Sequence, residues 1–508
     1  MATRRRSISS PEQYRKVEQF ATEGKLEQAW KIVNAMLIDD PRDARALVAG
    51  SFIMRRMGHL PAAYHFGRAA TQVWQSEFSG WLNLGHACGE MRLVDEAERC
   101  YKRAVKLVKN ERDRLDVMLN IAALYLDDGR FAEAEAITRD MLKIDPNHRK
   151  AQANLGFCQL ARRDWEGWKG YHLCIGSDWR PKAVYRDPPE PEWDGSPGKT
   201  VAIYGDQGLG DEISFASMLP DAIAVSKKVI IDCDDRLEGL FRRSFPEAKV
   251  YGTRRAKEGN WAKEDWQIDC SLPIGQLGEF FRLKDEDFPG TPYLKPDPDR
   301  VRMWMSLFAA KRKPVIGIAW TGGIPKTNAR NRRLALADFL PVFKAVDAHY
   351  VSLQYKDATA DLMAFRFAHP EVDIKQYAYG TLTPDYDDTA ALIASLDYVL
   401  CIQTAVAHTA GALGVPVTVL VPVATQWRYG DTHDTVPWYD CLRVIRQEKT
   451  GQWRNEIERA ARELGTYFAR VPSRARTPAP DDRLRDDLNH VRPARVGDHQ
   501  PPGDHAPA

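Results

Sequence analysis

A repeat of about 34 residues runs through the first third of this 508-residue chain. Alanines recur at close to this spacing: Ala29, Ala63, Ala97 and Ala134. Glycines precede three of them by five positions: Gly24, Gly58 and Gly129. A period of this length predicts helix pairs that stack into an all-α solenoid, because one pair alone cannot bury its apolar face. We therefore expect a solenoid over residues 11–177, preceded by a flexible N-terminus, residues 1–10.

The third unit carries further marks of a known repeat: Trp81, Leu84, Gly85 and Tyr101. With these residues the array resembles the tetratricopeptide repeat, whose small side chains let two helices approach closely. The resemblance implies a concave face that binds a partner, and a purely structural prop is the alternative. The last unit, residues 149–175, is degenerate and contains Trp165 and Trp168, so we expect it to cap the array against another domain.

The net charge, the apolar runs and the cysteines of the chain limit the kinds of binding partner and the cellular compartment that we expect. The formal net charge is only +2 at pH 7, which argues against a nucleic-acid-binding or membrane-binding surface. No long uncharged apolar run is present, so neither a secretory signal nor a transmembrane segment is expected. The 8 cysteines are scattered without a CxxC pair, which is typical of reduced thiols rather than of a disulfide frame or zinc site. We therefore expect a cytoplasmic protein.

Beyond a proline-rich linker, residues 178–199, the pattern changes to strands that alternate with helices. Strands are predicted at 200–204, 228–233, 249–252 and 267–270, and again at 315–320, 350–354, 372–375, 398–402, 415–421 and 442–446. A continuous helix is predicted over 211–225. Such alternation predicts parallel sheets in two Rossmann-like domains, residues 200–299 and 300–472. Residues 473–508 lack Phe, Tyr and Trp, so a disordered tail is expected.

Residues 397–422 predict a strand, a small-residue helix and a second strand, which together form a βαβ unit buried on both faces. Thr404 is placed to cap the helix and Gly414 to end it. Ala405 and Ala407 have no bulk that would stop a phosphate, whose charge the helix dipole favours at this end. A nucleotide diphosphate site is therefore predicted here, and a core unit without a ligand is the alternative.

A glycine-rich loop follows the first strand of the first Rossmann-like domain. Its glycines, Gly205, Gly208 and Gly210, are spaced G-x-x-G-x-G, so the dinucleotide-binding fingerprint G-x-G-x-x-G is not met. The loop places Asp211 at the carboxyl edge of a sheet, where ligands bind. A carboxylate there can take the proton of an acceptor hydroxyl during glycosyl transfer. The alternative is that Asp211 only caps the N-terminus of the following helix.

Three long segments carry a more specific resemblance: PEWDGSPGKTVAIYGDQGLGDEISFASMLP, DTAALIASLDYVL and TAVAHTAGALGVPV. Together with Trp427-Arg428 and the PWY of residues 437–439, they are similar to bacterial proteins that join tetratricopeptide repeats to a glycosyltransferase family 9 (heptosyltransferase-like) module. The resemblance implies a GT-B fold, a nucleotide-sugar donor held mainly by the second domain, and neither a metal nor another cofactor. It also implies that Asp211 is the catalytic base and that substrate is bound by Gln207, Gly208, Gly210, Lys326, Arg332, Gln403, Thr404, Ala405 and His408.

Two features modify this expectation. The family usually has Asp where this chain has Gln403, and an amide accepts a hydrogen bond but carries no negative charge. The loop 322–333 contains Lys326 and Arg332, which are expected to stabilise the leaving diphosphate, although a solvated basic loop is the alternative. The sequence thus predicts a metal-independent transfer of a hexosyl or heptosyl group to an acceptor glycan or protein that the repeats recruit. The alternative is a non-catalytic scaffold with a degenerate transferase module, and an epimerase or hydrolase on the same fold is a third possibility.

Overall fold

A computed structural model describes residues 10–177, 180–185, 189–254, 267–311, 313–323 and 332–471. These residues form two compact units, the first ending at Leu155 and the second beginning at Gly156. Residues 1–9 of the predicted flexible N-terminus and the predicted tail, residues 473–508, lie outside the described residues. No helix in the described ranges is both long enough and apolar enough to cross a membrane.

The first unit is all α-helical. Its helices are α1 (Pro11–Thr22), α2 (Leu26–Asp39), α3 (Ala44–Arg56), α4 (Leu60–Val73), α5 (Phe78–Glu90), α6 (Val94–Leu107), α7 (Glu111–Asp127), α8 (Phe131–Ile144) and the first turns of α9 (Arg149–Ala161). The repeating alanines Ala29, Ala63, Ala97 and Ala134 are fully buried. This arrangement confirms the predicted helical solenoid of tetratricopeptide type.

Two kinds of glycine explain why this sequence forms helix pairs. Gly24 has a φ of +74° and ends α1, and Lys25 N donates to Phe20 O at 2.8 Å across the turn. Gly85 lies inside α5, where a Cβ would be 2.5 Å from the ring of Tyr101 on α6. The first glycine allows the tight turn, and the second allows the two helices of a pair to approach closely.

The second unit begins with the rest of α9 and with α10 (Gly167–His172). These two helices touch closely, since a Cβ on Gly156 would lie 2.6 Å from the carbonyl oxygen of Gly167. Trp168 on α10 is buried and lies in an aromatic cluster with Tyr171, Phe215 and Trp427. The part of the degenerate last repeat from Gly156 onward therefore belongs to the second unit, and Trp168 lies in the core of that unit.

Part of the predicted linker, residues 178–199, is packed against the rest of the second unit. Arg180 and Trp193 are buried, and Trp193 N donates to Ser271 O at 3.0 Å. Ser271 N in turn donates to Pro191 O at 3.0 Å, so the segment runs beside the edge of a sheet. The structure differs from the prediction because these large side chains find buried partners far along the chain.

The first sheet of the second unit has four parallel strands in the order β3-β2-β1-β4. The strands are β1 (Thr200–Tyr204), β2 (Lys228–Asp232), β3 (Lys249–Tyr251) and β4 (Cys270–Pro273), with helices α11 (Leu209–Phe215), α12 (Leu219–Val225), α13 (Glu238–Ser244) and α14 (Gly278–Phe281).

Two predictions for this domain were wrong in detail. The fourth strand begins at Cys270 rather than ending there, and its Pro273 is tolerated because β4 is an edge strand. The helix predicted over 211–225 is broken by a 3₁₀ turn at Ala216–Met218. Pro220 lies in the first turn of α12 and has no N–H to continue the helix across the break.

The second sheet has six parallel strands in the order β10-β9-β8-β5-β6-β7. The strands are β5 (Val315–Ala319), β6 (His349–Ser352), β7 (Ile374–Gln376), β8 (Tyr398–Ile402), β9 (Val417–Val421) and β10 (Leu442–Arg446). The helices are α15 (Pro298–Ala309), α16 (Leu340–Ala345), α17 (Thr359–Ala368), α18 (Ala378–Thr381), α19 (Tyr386–Ala394), α20 (Ala405–Ala412) and α21 (Arg454–Arg470). Every residue of β5, β8 and β9 is buried, as expected of central strands covered by helices on both faces. The predicted architecture of parallel sheets alternating with helices is therefore confirmed.

Candidate functional site

A cavity of about 430 Å³ opens at the carboxyl edge of the six-stranded sheet. Both sheet-containing domains line it, the first through the loop at Gly208–Asp211 and the second through the residues that follow β5, β6 and β8. The predicted site residues that line it are Gly208, Gly210, Asp211, Arg332, Gln403, Thr404, Ala405 and His408. The structure thus brings eight of the ten predicted residues around one cavity.

The start of α20 forms one wall. Thr404 occupies the position before the helix in an extended conformation, as predicted, but its hydroxyl makes no capping hydrogen bond. The first backbone N–H groups of α20 therefore have no side-chain cap at this end, where the helix dipole favours an anion. Gly210 allows the facing loop to come close, because a Cβ there would lie 3.1 Å from the Cα of Ala405.

Gln403 joins β8 to α20, and its side chain is only 2% exposed. Neither its amide oxygen nor its amide nitrogen has a hydrogen-bond partner among the described residues, and the same holds for the Thr404 hydroxyl. The backbone carbonyl of Gln403 accepts a hydrogen bond from Arg332 Nη1 at 3.3 Å. Burial lowers the pKa of the Arg332 guanidinium.

The other cations of the predicted basic loop have different positions. Lys326 lies outside the described residues, so its predicted contact with substrate stays a prediction. Arg333 is exposed and is not among the residues that line the cavity.

Arg236, which the sequence reasoning missed, does line the cavity and forms a two-pronged ion pair with Asp234, with distances of 2.8 and 3.0 Å. The available signal was its place directly after β2, at the carboxyl edge of the first sheet.

Asp211 combines two structural contacts. Its Oδ2 accepts a hydrogen bond from Gly208 N at 2.9 Å, so Asp211 stabilises the N-terminus of α11 from the third helical position, while Gly208 occupies the cap position that the sequence alternative gave to Asp211. Its Oδ1 forms an ion pair with Arg428, a buried residue of the second domain that also lies over the rings of Phe215 and Trp427. Arg428 was noted only as part of the family resemblance, and nothing in its local sequence indicated this partner.

Gln207 does not line the cavity, unlike the other predicted residues of its loop. Its φ is +60°, and its amide nitrogen donates to the hydroxyl of Tyr171 on α10. Arg254 Nη2 donates to the Gln207 carbonyl at 3.0 Å, so both ends of this residue hold the loop in place. The geometry gives Gln207 a role in positioning the loop, and its contact with substrate stays a prediction.

His408 faces the cavity, but both of its ring nitrogens already have partners. Nδ1 lies 3.3 Å from the hydroxyl of Tyr439 and Nε2 lies 3.1 Å from that of Tyr429. Burial, assisted by the nearby Arg428 cation, lowers the pKa of His408 to about 3. The imidazole is therefore neutral at physiological pH, and donation to a phosphate would require it to release a tyrosine.

The loop beneath Asp211 is supported by a buried charge network. Glu212 is fully buried, forms an ion pair with Arg254 at 2.9 Å, and accepts a hydrogen bond from Asp234 N at 2.9 Å. Burial raises the pKa of Glu212 to about 8 despite this cation. Gly205 has no room for a side chain beside the Glu212 carboxylate, so the backbone there is closely fitted to the network.

The first unit has its own candidate binding surface. A groove of about 800 Å³ is lined by residues of α1, α3 and α5, the first helices of three successive pairs. Phe52 and Trp74 contribute apolar surface, and Arg45 and Arg56 are exposed beside them. A groove of mixed aromatic and charged character is suited to a polypeptide segment.

A family model of the tetratricopeptide repeat matches residues 78–110, which span the helix pair α5 and α6. Similar solved structures include PilF of Pseudomonas aeruginosa (18% identity, 32% of this chain, 72% of that chain, TM-score 0.30). They also include YrrB, described as having an unusual peptide-binding site, with 18% identity over 30% of this chain and 76% of that chain and a TM-score of 0.26. MamA matches with 16% identity over 33% of this chain and 94% of that chain and a TM-score of 0.28. Residues 78–110 thus form a tetratricopeptide repeat, a unit that stacks on its neighbours.

Protein FlbA of Caulobacter vibrioides resembles this chain over a much larger part of its length. The two sequences are 31% identical over 435 residues, which is 81% of this chain and 70% of FlbA. The match therefore extends well beyond the repeats, and the chain belongs to the same family as Protein FlbA of Caulobacter vibrioides.

Proposed function

We propose that the second unit is a GT-B glycosyltransferase that moves a sugar from a nucleotide-diphosphate donor to an acceptor hydroxyl, without a metal. One observation carries this proposal: a single cavity joins the start of α20 and the buried Arg332 to the carboxylate Asp211 of the other domain. Ligands of parallel α/β sheets bind at this edge, and the cavity volume is in the range of nucleotide-sized ligands. We also propose a cytoplasmic location, which the free state of all 8 cysteines favours.

In this proposal the donor phosphates lie at the N-terminus of α20. Its first N–H groups, which have no side-chain cap, and the Arg332 guanidinium neutralise the negative charge of the phosphates. The nucleoside extends toward the residues after β6, where Leu353 and Tyr355 line the cavity. Metal independence follows from this assignment of charge and is itself a prediction.

The transfer step uses Asp211 as a general base. Asp211 takes the proton of the acceptor hydroxyl, and the oxygen attacks the sugar carbon that is bonded to the donor phosphate. The bond from that carbon to the phosphate oxygen breaks, and its electron pair leaves with the nucleotide, where Arg332 and α20 stabilise the charge. A carboxylate has about four acceptor positions, so the contacts with Gly208 and Arg428 leave room for this proton.

A non-catalytic scaffold is the second candidate, and the same carboxylate favours it. Asp211 stabilises the N-terminus of α11 and pairs with Arg428, two structural roles that would keep the residue even without chemistry. In that case the tetratricopeptide groove carries the function, and the second unit supports it. In either case we propose that the groove binds the acceptor or another protein partner.

Binding of nucleotides tests the donor site. We expect UDP, ADP or GDP to raise the melting temperature of the wild type, and Arg332→Ala to abolish this shift. Arg333→Ala is the matched control, because the neighbouring residue is exposed and does not line the cavity. Equal shifts in all three proteins would contradict the placement of the donor.

Turnover decides between enzyme and scaffold. With a sugar nucleotide and cell extract as acceptor source, Asp211→Asn should lower turnover by about 10²–10⁴-fold, the usual contribution of a general base. Donor affinity should change little, since the phosphates are held by the other domain. Absence of both donor binding and turnover in the wild type would favour the scaffold, and full activity of Asp211→Asn would remove the assigned base.

A further inference from the structure

Helix α17 (Thr359–Ala368) has an apolar side that the rest of the second unit does not cover. Leu362 and Phe365 are buried in the core on one side of the helix. Met363 and Phe367 lie on the opposite side, where 67% and 93% of their surfaces are exposed. A helix that is apolar on two sides is normally buried on both, so the exposed side of α17 is typical of a contact surface.

The exposed side of α17 consists of two neighbouring rows of residues. Side chains four positions apart lie one above the other along a helix. Met363 and Phe367 form a row of large side chains, and Ala360, Ala364 and Ala368 form a row of small ones beside it, all of them exposed. The large row stands out as a ridge and the alanine row leaves a groove. These five residues form the α17 face.

The α17 face differs from other exposed apolar side chains of the protein. Ile38 and Leu283 are also exposed, but neither has another exposed large apolar residue within four positions of it, and single exposed side chains of this kind are normal. On α17 two such residues lie next to each other. A hollow of about 430 Å³ lies alongside them, between Ala364 and Ala368 on one side and residues 333–337 on the other. An apolar ridge beside a hollow is suited to association with another apolar surface.

The shape of the α17 face fits a second copy of the same chain. A two-fold axis brings the same patch of two copies together, so the ridge of each can enter the groove of the other. In an antiparallel pair of α17 helices centred between Met363 and Ala364, Phe367 of each copy lies over Ala360 of the partner subunit. A parallel pair would place Phe367 against Phe367 and leave a gap between the two copies of Ala360. The antiparallel pair therefore fills the space better.

The surroundings of the α17 face favour this partner over a membrane or a strand. Asp361 and Arg366 are both exposed and border the face with one charge of each sign, so basic charge that would attract an anionic membrane is not in excess there. The edge strand that follows α17, β7, has only 3 residues, and its Lys375 is exposed. Short edge strands that carry lysine resist pairing with another strand.

We propose that the α17 face is the contact between two copies of this chain in an antiparallel, two-fold symmetric dimer. The proposal goes beyond glycosyl transfer and does not depend on it, because no residue of the α17 face lines the cavity that contains Asp211. A contact confined to one helix of 10 residues and its flank buries less than the roughly 800 Å² per partner of a standard interface. The dimer is therefore weak, with a Kd of about 1–100 µM.

Sedimentation equilibrium of the full chain, from about 1 to 300 µM, measures this association. The wild type should show a reversible monomer–dimer equilibrium. Phe367→Gln should raise the Kd by at least about 10-fold, because buried aromatic residues carry much of the energy of an interface and the residue occurs twice in the dimer. The melting temperature of the dilute monomer should stay the same, since the ring is exposed there. Leu283→Gln is the matched control, because 61% of Leu283 is exposed and it lies outside the α17 face.

A double variant tests the arrangement of the two helices. Phe367→Ala removes the large side chain from both ends of the contact and should weaken the dimer. Adding Ala360→Phe returns one ring to each end, because positions 360 and 367 face each other in the antiparallel pair. The double variant should therefore recover most of the affinity that Phe367→Ala loses.

Four results would overturn the proposal. A wild type that stays monomeric up to about 300 µM would show that a second copy does not cover the face. A dimer that Phe367→Gln does not weaken would use another surface, and a double variant as weak as Phe367→Ala would refute the antiparallel arrangement. Binding of the wild type to vesicles of phosphatidylcholine and phosphatidylglycerol, lost in Phe367→Gln, would assign the α17 face to a membrane instead.

Discussion

The buried ion pair between Arg180 and Asp206 should be one of the most sensitive points of the second unit. Both side chains are only 1% exposed. Arg180 Nε and Nη2 donate to Asp206 Oδ2 at 3.1 and 2.9 Å, and Nη1 donates to Tyr171 O at 2.8 Å. The pair lies directly beneath Gln207 and the loop that carries Asp211. We predict that Arg180→Met destabilises this unit far more than the loss of an ordinary surface cation would.

The magnitude follows from what the substitution leaves behind. A buried carboxylate whose partner is removed typically costs about 3–5 kcal/mol of unfolding free energy. Burial already raises the pKa of Asp206, with Arg180 opposing the shift, so loss of the cation should raise this pKa further. A carboxyl group with a raised folded pKa keeps its stability at low pH and loses it as the pH rises through that pKa. The cost should therefore be larger at pH 8 than at pH 5.

Urea unfolding followed by tryptophan fluorescence measures this effect, since Trp168 and Trp427 lie in one aromatic cluster of the unit. Arg302→Met is the control, because Arg302 pairs with Asp299 while 72% of its side chain is exposed, and surface pairs contribute little. Adding Asp206→Asn to Arg180→Met should recover about half of the lost stability, because no charge is then buried. A cost below about 1 kcal/mol, or no recovery in the double variant, would refute the reasoning.

Three further predictions concern pH, metal and the array. The pKa of His172 is raised, mainly by its contact with Glu279 at 3.1 Å and then by Glu192. The stabilisation that His172 gives is complete below its unfolded pKa of about 6.5, and it is lost as the pH rises through the pKa of His172 in the folded protein. The difference in unfolding free energy between wild type and His172→Gln should therefore shrink from pH 6 to 8.5. EDTA should leave turnover nearly unchanged, whereas a loss restored by manganese or magnesium would contradict the assignment of charge to Arg332 and α20. A fragment covering residues 156–471 should bind nucleotide but lose the protein partner, and loss of nucleotide binding would make the array a structural support.

The strands could be predicted well because their signal is local. β1, β8 and β10 have the bounds predicted for them, since each is a short apolar run bounded by turn residues. The prediction placed the fourth strand three residues too early, because the segments 267–270 and 270–273 are comparably apolar. Only the pairing with β1 decides which of the two segments forms the strand. Local patterns fix where a strand can form, while the neighbouring strand fixes its register.

The candidate site was predictable only in part, for a related reason. The loop at Gly208–Asp211 and the start of α20 were identified because each follows a buried strand at a carboxyl edge. The partners of these elements could not be identified, since Arg428 is 217 positions from Asp211 and Gln207 bonds to Tyr171 on another helix. Sequence spacing carries no information about such contacts, and they decide which side chains face the cavity.

The position of Arg180 has a practical consequence for dividing this protein into fragments. A transferase fragment that begins at the predicted boundary, residue 200, would discard Arg180 and Tyr171 and leave Asp206 as a lone buried acid. It would also uncover Phe215 and Trp427, which Trp168 now covers, and such a fragment should aggregate on expression. A chimaera made from two relatives should therefore join the two chains near Leu155. The relative that supplies the second unit then also supplies α10 and Arg180.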